Sequence, residues 1–315
     1  MGQEGTRRVR YAGRGRLIAV CAVLTAVLLA FPRVVPNSLV RAGSLLESFL
    51  PWLGPALVVL LVLALVRRSP VALVALLLPV AAWTDRFGGL LLPASGERDL
   101  LVVQHNVGDT NADPVGTARV LVGAGPDLVA LQELVPRALP AYRRTLGPAL
   151  PHHAVRGTVG LWSRYPLSDV RVLDIRPRGI TGPWSRGLRA VAHTPHGDVA
   201  VHVAHLPSVR LRASGFASAL RDESAAALGQ AVEAEEQETV LLLGDLNGSV
   251  DDRGLDPLTS RLEEAERGFA PSFPAALPLV RIDQVMARSA TVGHIATLPA
   301  TGSDHLPVVA RITLG

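Results

Sequence analysis

The sequence predicts an α/β protein in two parts: a set of apolar membrane helices, then a sandwich of two β-sheets with accompanying helices. Three observations carry this. Long uncharged runs are confined to the part of the chain before residue 88. After residue 98 the texture changes to short apolar strand patterns punctuated by Gly, Pro and Asp. Those strands bunch together while helices intervene irregularly, which favours two packed sheets over a doubly wound parallel sheet.

The chain has 315 residues, room for a membrane region and one globular domain. It is 49% hydrophobic with a mean hydropathy of +0.32, an unusual balance for a soluble protein. The pI is about 10.1 although the net charge is only +4, and all 31 basic residues are Arg. With the enrichment in Ala, Val, Leu, Gly and Pro, this is the mark of G+C-rich codons. The basicity is therefore little evidence for a nucleic-acid partner. The single cysteine, Cys21, lies in an apolar run, which excludes an intrachain disulfide and a CxxC metal knuckle.

Residues 1–16 form a basic tail with Arg7, Arg8, Arg10, Arg14 and Arg16. Leu17 to Phe31, Phe49 to Val66 and Val71 to Thr84 are apolar. A signal peptide shares the basic start, but no small-x-small cleavage site precedes a mature start, and further apolar runs follow. A bilayer core needs about 20 apolar residues. The second run spans outright, the first spans if Arg33 snorkels, and the third is short and contains Pro79. Residues 17–87 are thus expected to hold about three transmembrane helices, with two spans and an interfacial third segment as the competitor. The positive-inside rule puts the tail and the Arg67-Arg68 turn in the cytoplasm, and Trp52 and Trp83 at the outer interface. Three spans make this a multi-pass cell-membrane protein whose remainder is extracytoplasmic; two would leave the remainder inside. Residues 88–97 read as a linker and 98–315 as the catalytic domain.

In that domain Leu100–Val103, Asp127–Leu131, Val159–Trp162, Val170–Ile175, Leu188–Ala192, Val199–Ala204, Thr239–Leu243, Val280–Met286 and Val308–Ile312 are expected strands. His-Gly-Asp at 196–198 fits a hairpin turn. Helices are expected over Val115–Gly123, within Arg212–Glu238, and over Leu258–Glu266.

Polar side chains appear where buried strands run out. Asn106 follows Leu-Val-Val-Gln-His, Glu133 follows Leu-Val-Ala-Leu-Gln, and His205 follows Val-His-Val-Ala. Asp245 and Asn247 follow Leu-Leu-Leu-Gly, Asp283 sits within Val-Arg-Ile-Asp-Gln-Val, and Asp304-His305 precede Leu-Pro-Val-Val. Strand ends of a sandwich gather at one rim, and carboxylates, amides and histidines together suit a hard divalent cation and a phosphate group. Singly, each is as well explained as a cap, a turn residue or a satisfied histidine; the ordered set is what points to a site. Zinc is disfavoured: His193, His196, His202 and His205 lack helical i, i+4 spacing, and Pro195 interrupts them.

The ordered set resembles the endonuclease/exonuclease/phosphatase superfamily over roughly residues 98–313. The carrying motifs are Asn106, Gln132-Glu133, His205-Leu206, Gly244-Asp245-Leu246-Asn247, Ile282-Asp283 and Ser303-Asp304-His305-Leu306-Pro307, with the strand Gly160 to Leu167 beside them. The resemblance implies a DNase I-like four-layer α/β/β/α sandwich and a phosphoester hydrolase using Mg²⁺ or Mn²⁺. It implies Glu133 as the main metal ligand, with Asn106 and Asp304 close to the ion. Asp245 would orient or deprotonate the attacking water, and Asn247 would hold that water or a phosphate oxygen. His305 would bind the phosphate with Asp283 fixing its ring, and His205 would bind a second oxygen. Some nuclease members carry an acid where this chain has Gly108, which puts a repair-type nuclease activity in doubt.

The arrangement is also similar to actinobacterial membrane proteins of this superfamily associated with teicoplanin resistance, through Phe273-Pro274-Ala275, Pro278 and Arg281-Ile282-Asp283. The site together with a membrane anchor points to a lipid-linked phosphate or pyrophosphate or a phospholipid headgroup as substrate, and that similarity implies cell-envelope lipid carriers. The alternatives are a membrane-tethered nuclease, for which Arg176, Arg178, Arg186 and Arg189 could line a groove, and a non-catalytic module on the same fold. Oligomeric state is open.

Overall fold

The computed structural model describes residues 15–38, 40–94, 96–213 and 215–315. Arg7, Arg8, Arg10 and Arg14 of the basic tail lie outside the described residues. The chain forms one unit ending at Leu91 and a second from Leu92 to Gly315.

The first unit contains α1 (Arg16–Ala30), α2 (Ala42–Ser48), α3 (Leu53–Val66) and α4 (Pro70–Phe87). Ser69 caps α4 by accepting the Ala72 N–H at 3.3 Å, and Pro70 opens the helix where its missing N–H costs nothing. Pro79 sits inside α4 without ending it, and a 3-10 turn over Gly88–Leu91 prolongs it. Among the described residues, this 22-residue element, Pro70–Leu91, is the one helix long and apolar enough to cross a membrane unaided. Of the three spans expected, this accounts for one outright, and a bent pair counted as one would give two. α1, with 15 residues, is short. Ala42–Ser48 and Leu50–Val66 reach span length only as a pair bent by 68°. Pro51, opening the turn after the break, cannot donate back into α2. The run expected to be shortest is thus the longest, and Gly88–Leu91 of the expected linker prolongs it. Small residues Ala22, Ala64 and Ala72 meet with Leu76 where α1, α3 and α4 touch. Trp83 Nε1 donates to the Pro51 carbonyl at 3.0 Å, which puts the two tryptophan-bearing helix ends side by side.

The second unit is built on two sheets. Its strands and helices are β1 (Leu100–Asn106), α5 (Pro114–Gly123), β2 (Leu128–Gln132), α6 (Leu139–Leu146), β3 (His152–Arg156), β4 (Val159–Ser163) and β5 (Leu167–Val172). There follow β6 (Gly187–Thr194), β7 (Gly197–His205), a small hairpin of β8 (Leu211–Arg212) and β9 (Gly215–Phe216), α7 (Ala219–Glu233) and β10 (Val240–Asp245). α8 (Asp256–Thr259), β11 (Asp283–Arg288), β12 (Ala290–Thr297) and β13 (Val308–Leu314) complete it. One sheet has the order β12-β13-β1-β2-β4-β3, the other β11-β10-β7-β6-β5.

Alternation along the strands decides the layers. Leu100, Val102, Leu128, Ala130, Val201, Val203, Leu241, Leu243 and Val285 fill the space between the sheets. The opposite face of the first sheet buries Val103, Val129 and Leu131 with Ala118 and Leu121 of α5 and Tyr142 of α6. The opposite face of the second buries Ala200, Ala204 and Leu242 with Ala225, Leu228 and Val232 of α7. The result is a four-layer α/β/β/α sandwich.

Local departures have local causes. The long helix expected within Arg212–Glu238 is present as Ala219–Glu233, and the residues before it pair as the β8–β9 hairpin. Leu258–Glu266 is helical only to Thr259; beyond it Glu263 bridges Ala287. The strand expected at Val170–Ile175 lies at Leu167–Val172. The β6–β7 turn is tighter than expected, with Thr194 paired to Gly197.

Candidate metal and phosphate site

The inter-sheet face of every central strand is apolar until its last residues. The same alternation that places Leu241 and Leu243 between the sheets places Asp245 there, and likewise Val201, Val203 and His205. β7 and β10 are parallel and β11 returns antiparallel, so the register sets His205, Asp245 and Asp283 side by side in one row. Gly244 makes the close pairing possible, since a Cβ there would lie 2.3 Å from the Ala204 carbonyl oxygen. From the facing sheet, Asn106 Nδ2 donates to Asp245 Oδ2 at 2.9 Å and Gln104 Nε2 to Asp283 Oδ1 at 2.7 Å. The two sheets are therefore stitched at the rim by polar groups that the core cannot solvate.

Asp245 is buried, with its Oδ1 accepting the Asn247 N–H at 3.0 Å. Asn247 has a left-handed φ of 48°, and its Nδ2 donates to the Leu206 carbonyl at 2.9 Å. Asp283 accepts from Gln104, from Ser272 Oγ at 2.6 Å and from His305 Nδ1 at 2.7 Å. Ser303 Oγ donates to the Asn106 carbonyl at 2.7 Å and accepts the His305 N–H at 3.1 Å, locking the loop before β13 against the end of β1. Phe273 lies against the His305 ring with centroids 4.9 Å apart.

Burial disfavours a charged His305, but Asp283, with Asp245 and Asp304 behind it, pushes its pKa up to about 10. His305 is a fixed cation at neutral pH. His205 goes the other way: burial, outweighing Asp245, takes it down to about 4. Its Nε2 stands 3.6 Å from Asp245 and 3.8 Å from Glu133, and neither ring nitrogen has a hydrogen-bond partner among the described residues. Burial also raises the Asp245 pKa, with Asp283 adding to it and His305, His205 and Asn106 opposing.

The expected residues thus fall into two groups. Asn106, His205, Asp245, Asp283 and His305 converge directly, with Asn247 in the adjoining turn. Glu133 borders them through His205; it leaves β2 with a left-handed φ of 58°, and its Oε2 accepts the Asp109 N–H at 3.1 Å. Asp304 is exposed beside His305. Asp109 itself is exposed and turns only its backbone to Glu133, so it does not replace the acid missing at Gly108. The four clustered histidines do not form a zinc site. His193 bonds Asp198 and Ser168, and His202 bonds Glu235 at 3.0 Å.

Asp245, Asp283 and His305 offer ligand atoms within 4.8 Å of one another, the one such group found among the described residues. Asp283, however, already accepts three hydrogen bonds, and His305 Nδ1 is taken by it. Beside the His205 ring, the donors at the rim are mostly oxygens: Glu133, the Asn106 amide and Asp245. Such a set fits a hard divalent cation rather than zinc. Supports that the sequence reading missed are Gln104 and Ser272 on Asp283, and Arg221, whose buried Nη1 donates to the Asn247 carbonyl at 3.1 Å. Only Gln104, next to a quoted motif, carried a signal in the sequence.

A four-layer sandwich with this polar rim defines the DNase I-like class. The sequence profile described as "Endonuclease/Exonuclease/phosphatase family" matches residues 87–305, well over half of the chain. The chain belongs to that family, whose members generally hydrolyse phosphoester bonds with divalent metals. A comparison with curated proteins finds no match. Among solved structures, the chain is similar to an endonuclease/exonuclease/phosphatase from Beutenbergia cavernae, at 22% identity and TM-score 0.58, covering 70% of this chain and 72% of that one. It is similar to D. rerio TDP2 complexed with single-strand DNA product, at 18% identity and TM-score 0.55, covering 68% and 98%. It is also similar to a variant of Staphylococcus aureus beta toxin with bound magnesium ions, at 16% identity and TM-score 0.52, covering 68% and 99%. At these identities the likeness is one of fold.

Proposed function

We propose that this protein is a membrane-anchored, Mg²⁺- or Mn²⁺-dependent phosphoester hydrolase with an extracytoplasmic site, acting on a lipid-linked phosphate or pyrophosphate or on a phospholipid headgroup. The observation that carries the hydrolase reading is the single row of His205, Asp245 and Asp283 facing Asn106, with His305 held as a cation. Glu133, Asn106 and Asp304 would hold a divalent ion, which would supply positive charge to the phosphoryl oxygens. Asp245, braced by Asn106 and the Asn247 amide, orients the attacking water and takes its proton. His305, fixed by Asp283, offers Nε2 to a phosphoryl oxygen as charge grows there. His205, buried and neutral, donates a second hydrogen bond. Asn247 orders the water or an oxygen.

The membrane reading is supported by α4 and by the outward-facing Val58, Val59, Val62, Val74, Leu77 and Leu78 of the first unit, which have little use in water. A site tethered beside a bilayer suits a substrate that is itself in the bilayer. The test is to incubate the detergent-purified full chain and Mg²⁺ with polyprenyl pyrophosphate and, separately, with plasmid DNA. Phosphate release from the lipid is expected; rapid nicking of the plasmid with none released would replace this reading with a tethered nuclease.

A further inference from the structure

One cation at the rim has no role in the chemistry above. Arg186 precedes β6, and its carbonyl accepts the His205 N–H at 2.9 Å. The neighbouring Ser185 carbonyl accepts the Thr158 N–H at 3.1 Å, and the Thr158 carbonyl accepts the Leu134 N–H, next to Glu133, at 3.0 Å. Gly157 permits this approach: its φ is 57°, and a Cβ would lie 2.1 Å from the Ser185 oxygen. The segment Trp184 to Arg186 is therefore pinned between the strand ends that carry His205 and Glu133.

The guanidinium of Arg186 stacks on the Trp184 ring, 4.3 Å from its centroid. It is half-buried, and burial lowers its pKa against the pull of Glu133 and Asp245, the acids it faces. Yet among the described residues no carboxylate lies within ion-pair distance and no acceptor takes its N–H groups. The buried arginines Arg189 and Arg221 behave differently, each in close ion pairs with Glu235 or Asp252. An arginine held by an aromatic face, its planar fork left open beside a phosphate site, is arranged for a ligand.

We propose that Arg186, positioned by Trp184, is the specificity-determining subsite for a second, non-scissile phosphoryl group, so that the site prefers pyrophosphate-type substrates. This rests on the hydrolase reading, in which His305, His205 and Asn247 already serve the scissile phosphate and a further forked cation matches another pair of phosphoryl oxygens.

Calorimetry on the detergent-purified full chain with Mg²⁺ tests it, using inorganic pyrophosphate and inorganic phosphate as probes. The wild type should bind pyrophosphate at least about tenfold more tightly than phosphate. Arg186→Gln should weaken pyrophosphate by about 10- to 100-fold, the worth of a charge-assisted hydrogen bond, and phosphate by much less. Arg186→Lys should fall between, and Trp184→Phe, which keeps an aromatic face, should stay near wild type. Equal affinity of the wild type for both probes, or equal losses for both in Arg186→Gln, would overturn the subsite. A chain that shows the predicted binding but releases no phosphate from any ester would support the subsite and overturn the hydrolase reading instead.

Discussion

Asp283 is the residue on which the charge state of the site turns. It accepts from Gln104, Ser272 and His305, so its carboxylate has little freedom to do anything but hold the imidazolium. A folded-state pKa of about 10 for His305 lies above its ordinary 6.5. The stability this contributes is present in full below pH 6.5 and is lost as pH rises through about 10. Activity that needs the cation should follow, holding across neutral pH and falling only near pH 10. In Asp283→Asn, burial dominates and the His305 pKa drops. The alkaline limb of the kcat/KM profile should then move down to neutral pH or below. An unmoved limb would mean that His305 is not the titrating group. The neighbours of Asp283 were only partly legible beforehand. Ile282-Asp283 stood out as a motif, whereas Ser272 has no pattern of its own and reaches the site only through a loop.

At the scale of elements, the rim exists because β7, β10 and β11 share one register and β1 faces them. This much could be read from the sequence, since long apolar runs each ended in a polar residue of the right parity. The edges could not. β3 and β12 are half-exposed along their length, so neither shows an apolar run, and both were missed. The small hairpin before α7 was not foreseen, because a pairing of two residues on each side leaves no apolar run to read. The loop after β10 is held by Arg221, fully buried on α7, which bonds the Asn247 carbonyl and the buried Asp252. Removing one partner of a buried pair strands the other. Arg221→Met should therefore cost about 3–5 kcal/mol in chemical denaturation. A loss below about 1 kcal/mol would mean that the loop carries its own support.

For the whole molecule, the sequence pattern separated an apolar first part from the sandwich, but helix lengths in the first part were misjudged. Runs of apolar residues do not show where a helix breaks, and Pro51 and Pro79, alike in the sequence, act differently: one lies at a break and the other within α4. Side of the membrane follows from the number of spans. Protease added to intact spheroplasts should digest the sandwich if it is extracytoplasmic, with immunoblotting as the readout; full protection would put the site inside. The chemistry itself is tested most directly by phosphate release from polyprenyl pyrophosphate, measured for wild type and Asp245→Asn, each with EDTA and after Mg²⁺ is restored. The wild type should lose activity with EDTA and regain it with Mg²⁺, while Asp245→Asn should be slower by about 10²- to 10⁴-fold, the usual contribution of a general base. Hydrolysis that persists in EDTA, or survives in Asp245→Asn, would contradict the account.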